Sequence, residues 1–225
     1  MNVRLSRPGL VSALGFGIEE TRKRLFAGDT SGMVAETGWL RGEAMARVGK
    51  FAGTLPPLPD DDWHRRHNSR NNRLLLAAFA QIENDFHALR ERFGPARIGV
   101  VLGTSTSGVS EGEAAIAAHA CHGEFPPNFA YEQMEIGDPA VFLARHLGLL
   151  GPAYTVSTAC TSGGKALVSA RLLIEGGFCD AVITGGVDSL CRLTLGGFTA
   201  LESTTPALCQ PLSRSRCGIN IGEGA

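Results

Sequence analysis

Cysteine occurs six times in the chain, at 121, 160, 179, 191, 209 and 217, and only one of these positions has a setting suited to chemistry. The stretch from Tyr154 to Glu175 reads YTVSTACTSGGKALVSARLLIE. A β-branched strand over 153–157 runs into Thr158, Ala159 and Cys160, and the pattern that follows predicts a helix over 162–175. Cys160 therefore sits on a sharp strand-to-helix turn, the geometry of a nucleophile elbow. Such a turn lifts the sulfur above the strand ends, where α/β folds bind ligands. The free N–H groups opening the helix carry partial positive charge, which favours a thiolate and can hold a developing oxyanion in acyl transfer. Ser162 and Gly163, at the helix start, are candidate substrate-binding positions. Gly163 and Gly164 each cost a helix roughly 1 kcal/mol against Ala, which suggests close approach of a substrate or a neighbouring element to the backbone. The other cysteines read as plain core or surface residues.

The elements that must position this elbow are legible around it. Continuous apolar runs at 97–103 and 181–185 predict strands buried on both faces. Helices are expected at 18–27, at about 111–121, and at 138–146, where Asp138-Pro139 looks like an N-cap followed by proline. Leu74, Leu75, Ala78, Ile82, Phe86 and Leu89 recur at three- and four-residue spacing, predicting one long amphipathic helix from 73 to 93 that Gly94-Pro95 stops. Residues 2–6 read as a short strand, and another is expected near 44–48. Strands alternating with helices imply an α/β fold with a mostly parallel or mixed sheet and helices on both faces.

Bulk properties narrow the class. The 225 residues are 44% hydrophobic and 19% charged, enough for a real core in one large domain or two small ones. The 29 glycines point to many tight turns rather than a helical bundle. A net charge of −1 offers no broad attraction for nucleic acid. No apolar run reaches membrane-spanning length, and the N-terminus lacks the pattern of a signal peptide, so reduced thiols in the cytoplasm are expected. No Cys/His cluster has metal-ligand spacing, so neither a metal nor a cofactor is expected.

Several ordered motifs carry a resemblance. Thr158-Ala159-Cys160-Thr161-Ser162-Gly163 matches the T-A-C-x-S-G signature of β-ketoacyl-acyl-carrier-protein synthases, condensing enzymes of the thiolase fold. Gly9–Gly15 (GLVSALG), Gly103–Gly108 (GTSTSG), Ala181–Asp188 (AVITGGVD), Phe198–Leu201 (FTAL), Pro211–Gly218 (PLSRSRCG) and Gly222–Ala225 (GEGA) resemble further family motifs in the same order. The resemblance covers essentially the whole chain. It departs at Leu212-Ser213, where the family has Phe-Asp, at the N-terminal NVRLSRPG, and at Thr104, Thr106 and Ser107, where glycine-rich forms are common. These departures suggest a divergent, aryl-polyene or polyketide-like subtype.

The resemblance implies thiolase-like architecture and a ping-pong reaction. An acyl group passes from acyl carrier protein to Cys160, and a malonyl thioester then loses CO₂ and attacks it. Family members are about twice as long, with two catalytic histidines and a lysine in the second half. Residues 1–225 therefore read as the N-terminal half, unable to condense alone, and none of the histidines at 64, 67, 87, 119, 122 and 146 takes a catalytic role. Thr104 and Thr106 fall where the family lines its acyl pocket. Arg65, Arg66, Arg70 and Arg73 lie in the basic segment Trp63–Arg73, readable as a solvated helix start or as a docking site for acidic carrier protein. A homodimer is expected. Two rivals remain: a thiolase acting on coenzyme A thioesters, and a non-catalytic partner such as a chain-length factor, which typically lacks the cysteine.

Overall fold

A computed structural model describes residues 3–225. The chain opens with a tiny hairpin, β1 (Val11–Ser12) and β2 (Gly15–Phe16), then α1 (Ile18–Phe26), β3 (Met33–Glu36) and β4 (Ala46–Gly49). Three helices follow, α2 (Asp62–Arg66), α3 (Arg70–Phe79) and α4 (Glu83–Phe93). The central part alternates: β5 (Ile98–Gly103), α5 (Val109–His122), α6 (Asp138–His146), β6 (Ala153–Val156), α7 (Ser162–Glu175) and β7 (Ala181–Gly186). The chain closes with α8 (Arg192–Ala200) and β8 (Ile221–Gly222).

Two three-stranded sheets organise these elements. One is all parallel in the order β6-β5-β7, with Gly103 level with both Val156 and Gly186. The other is mixed, β3 running antiparallel to β4 and β4 parallel to β8. Every residue of β5 is buried, as its unbroken apolar run requires of a strand covered on both faces. The main core joins β5 to α3 and α6 through Leu74, Val100, Leu102, Phe142 and Leu143. Each such side chain contributes about 1.5–3 kcal/mol of hydrophobic stabilisation on burial.

Four expectations need correction. The strand read at 2–6 is absent over residues 3–6, and Asn2 lies outside the described residues. The long helix expected over 73–93 is two helices, broken at Ala80–Ile82. Gln81 causes the break: its side chain exchanges hydrogen bonds with the backbone of Leu10 and also bonds Ala77 O, while Gly9 sits directly on Ala78 O. The hydrophobic stripe survives because Phe79 and Phe86 still meet edge to face, 5.3 Å between centroids.

The basic segment is divided between two helices: Arg70 opens α3 and Arg73 lies three residues further in, whereas Arg65 and Arg66 belong to α2. Asp61 caps α2 and Ser69 caps α3, accepting from His64 N at 2.9 Å and Asn72 N at 3.1 Å. Arg65 and Arg66 thus occupy the last turn of α2, where a positive charge suits the helix dipole. Asp138 does not cap α6. It is buried at the first helical position, accepting from Asn72 Nδ2 at 2.6 Å and lying 2.5 Å from His67 Nδ1. Burial raises the Asp138 carboxyl above its ordinary range, and the bonds from His67 and Asn72 act against that rise.

Candidate active site

The elbow forms where β6 ends. Ala159, not Cys160, takes the strained conformation, with φ +54. A left-handed residue with a Cβ costs about 1–2 kcal/mol, so the turn needs bracing. Ser162 supplies it: its hydroxyl donates to Ala159 O at 2.6 Å and accepts from Thr158 N at 2.9 Å. Thr161 Oγ1 donates to Thr158 O at 2.8 Å. Cys160 is exposed, two residues ahead of the first residue of α7, and its sulfur makes no hydrogen bond among the described residues. The side chain is free to meet a partner from outside the chain.

What seats the elbow is Gly103 at the end of β5. A Cβ there would lie 2.5 Å from Gly163 N and 2.6 Å from Ser162 O, so only glycine lets α7 rest on the strand. Gly163 is less restrictive: a Cβ on it would meet Gly186 Cα at 3.7 Å, an ordinary contact, and one on Gly164 would meet nothing within 4 Å. The close approach expected at Gly163 and Gly164 is therefore imposed at Gly103 within this chain. Sequence reasoning noted Gly103 as part of a loop motif but had no signal that a helix terminus crosses it.

The other candidate residues divide by burial. Ser162 is 3% exposed and its hydroxyl is taken up inside the elbow, so it braces Cys160 instead of facing a substrate. Thr104 and Thr106 are 0% and 4% exposed, and both hydroxyls point to Asp188 Oδ1 at 3.1 Å. In this chain they form the inside of the loop that leaves β5, not an open pocket wall. Arg65 and Arg66 are surface residues paired with Asp60 and Glu132. Arg70 and Arg73 turn inward instead. Arg70 pairs with the buried Glu223, and Arg73 donates to the carbonyls of Leu55 and Pro56 at 3.0 Å. The pair raises the Arg70 guanidinium above its ordinary range through its bond to Glu223.

The histidines lie elsewhere. His64 Nδ1 is 2.5 Å from Asp61, and its Nε2 is 3.0 Å from His146 Nδ1, while His67 bonds Asp138; these rings surround Trp63 and Phe142 between α2 and α6. A cleft of about 420 Å³ lined by Glu36, Trp39, Glu113 and Arg192 includes no residue of the elbow. Among the described residues no cluster of three or more potential metal ligands exists, and no helix is long and apolar enough to cross a membrane.

An exposed cysteine on a braced strand-to-helix turn above a parallel sheet is the arrangement the motif implied. Residues 61–225 match the family model for the β-ketoacyl synthase N-terminal domain. The chain belongs to the β-ketoacyl synthase family. Nodulation protein E of Rhizobium meliloti is 31% identical over 188 residues, 79% of this chain and 45% of that protein. The chloroplastic 3-oxoacyl-[acyl-carrier-protein] synthase I of Hordeum vulgare is 25% identical over 239 residues, 96% of this chain and 50% of that protein. A solved ketosynthase in complex with its chain length factor, from Xenorhabdus doucetiae, is 43% identical with a TM-score of 0.92, covering 98% of this chain and 55% of that one. The chain spans about half the length of the relatives it matches. The fold is that of the thiolase-like ketosynthases, mixed α/β with a parallel central sheet.

Proposed function

We propose that residues 1–225 are the N-terminal half of a β-ketoacyl-acyl-carrier-protein synthase and that Cys160 accepts the acyl chain. The observation that carries this is the exposed Cys160 on an elbow braced by Ser162 and seated on Gly103. The acyl group arrives as a thioester on acyl carrier protein and moves to the sulfur, a strong nucleophile and a good leaving group. The Cys160 N–H supplies one oxyanion donor from this half. Malonyl-carrier protein then loses CO₂, and its carbanion attacks the acyl-enzyme.

The condensation step requires histidines that no motif in this chain provides, so residues 1–225 accept an acyl group without condensing it. Arg65 and Arg66, both on the surface, are the residues proposed for carrier-protein docking in the cytoplasm. The 43% identity to the Xenorhabdus ketosynthase, which is solved in complex with its chain length factor, supports the polyene- or polyketide-like subtype. The presence of Cys160 favours a catalytic subunit over a chain-length factor, and the T-A-C-x-S-G context favours a synthase over a thiolase.

Mass spectrometry after incubation with an acyl thioester or a cerulenin-like inhibitor tests the reading. Label is expected on Cys160 alone and absent from Cys160→Ala. Label spread over the six cysteines, or none at all, would refute it.

A further inference from the structure

The segment Val187–Ser189, directly after β7, works as a clamp on the loop that leaves β5. Asp188 Oδ1 accepts three hydrogen bonds: from Ser105 N at 2.7 Å, Thr104 Oγ1 at 3.1 Å and Thr106 Oγ1 at 3.1 Å. Its neighbours add to this. Val187 N donates to Gly103 O at 2.9 Å, Ser189 N donates to Thr106 Oγ1 at 3.0 Å, and Ser189 Oγ donates to Ser107 O at 2.9 Å. The Asp188 backbone also exchanges hydrogen bonds with Gly224, at 3.0 and 2.9 Å, tying in the end of the chain.

The loop needs this clamp. Ser107 is in the left-handed region with φ +44, and the four residues after Gly103 carry side chains where a flexible glycine-rich loop would not. Thr104 Oγ1 gathers the next turn by accepting from Ser107 N at 3.0 Å and Thr106 N at 3.3 Å. One side-chain oxygen thus gathers three donors from successive residues of the loop. The loop also starts where the elbow rests, because Gly103 abuts the backbone of Ser162 and Gly163 and Thr104 N reaches Val156 O at 3.3 Å.

We infer that Asp188 is a positioning residue: it holds Thr104–Ser107 in one shape at the strand end on which the Cys160 elbow rests, and so sets which acyl chains reach the sulfur. This inference rests on the reading of Cys160 as the acyl acceptor. The Thr104 and Thr106 hydroxyls are buried and donate to Asp188, so the loop acts by its shape and not by hydrogen-bonding the acyl chain.

The test compares Asp188→Ala with Asp188→Asn, whose Oδ1 can accept the same three bonds. Acetyl and octanoyl thioesters of N-acetylcysteamine are offered, and the ratio of their transfer rates to Cys160 is read by mass spectrometry. Amide exchange over residues 103–108 is measured alongside. Asp188→Ala should change the rate ratio at least threefold and speed exchange about tenfold, and Asp188→Asn should restore both. Where Asp188→Ala does not fold, Thr106→Val removes one of the three bonds and should shift the ratio in the same direction. An unchanged ratio and unchanged exchange in Asp188→Ala, or an Asn variant as altered as the Ala one, would overturn the inference. Wild-type protein that takes neither thioester, while iodoacetamide still alkylates Cys160, would instead sink the acyl-acceptor reading; the exchange data would then decide whether Asp188 holds the loop.

Discussion

Replacing Gly103 by Ala tests how the elbow is seated. The added methyl would lie 2.5 Å from Gly163 N and 2.6 Å from Ser162 O. Carbon prefers its neighbours at about 3.5–4.0 Å, so strand and helix must part by roughly 1 Å. Neither side yields cheaply, since Gly103 is bonded into a sheet between β6 and β7 and the helix N-terminus is braced by Ser162. Overpacking of this kind costs about 1–3 kcal/mol. A shift of about 1 Å at a reacting atom can lower a rate by roughly 100-fold. Urea unfolding should therefore show the loss in stability, and acylation of Cys160 by a thioester should slow by roughly 10- to 100-fold. Gly163→Ala is the control, because its methyl meets Gly186 Cα at 3.7 Å and Gly186 N at 3.9 Å, both ordinary contacts. Alanine is a better helix former than glycine by about 1 kcal/mol, so Gly163→Ala should be neutral or stabilising. Equal stability and equal acylation in Gly103→Ala and wild type would refute the account of the elbow.

Three further outcomes are expected. Arg70→Met leaves the Glu223 carboxylate, whose side chain is 0% exposed, without its cation. Breaking a buried pair costs about 3–5 kcal/mol; Arg70 is one-third exposed, so the low end is expected in urea unfolding, with partial recovery in Arg70→Met/Glu223→Gln. Ser69→Ala removes the cap that Asn72 N donates to at the start of α3 and should lower stability by roughly 1 kcal/mol. His146 is held below the ordinary histidine range, first by burial and then by the neighbouring His64, with Glu83 opposing. The unfolded chain then binds a proton on His146 before the folded one does, so its contribution to stability is present above the unfolded value of 6.5 and is lost as pH falls below it. The unfolding midpoint should drop on acidification through that window, and the drop should shrink in His146→Phe; identical pH profiles for the two proteins would contradict the assignment.

Local chemistry was readable along the chain because it depends on neighbours in sequence. The helix over 162–175 appears at those bounds, and the two apolar runs became strands, β5 buried throughout as expected and β7 only partly buried. Cys160 as the exposed residue of a strand-to-helix turn follows from the same local pattern. Long-range contacts decided the rest. The helix from 73 to 93 broke because Gln81 and Gly9 bind segments some 70 residues apart, which periodicity cannot register. The same limit hid the roles of charged and polar residues. Arg70 looked like a surface charge until Glu223, 153 positions later, folded onto it. Thr104 and Thr106 looked like pocket residues until Asp188 took up their hydroxyls. The sequence by itself determined that a cysteine would stand on an elbow at a helix start, because a strand, a turn and a helix cap are local choices. Only the tertiary structure determined that Gly103 seats that elbow, that Ser162 braces it and that Asp188 shapes the loop beside it, because each depends on atoms brought together by packing.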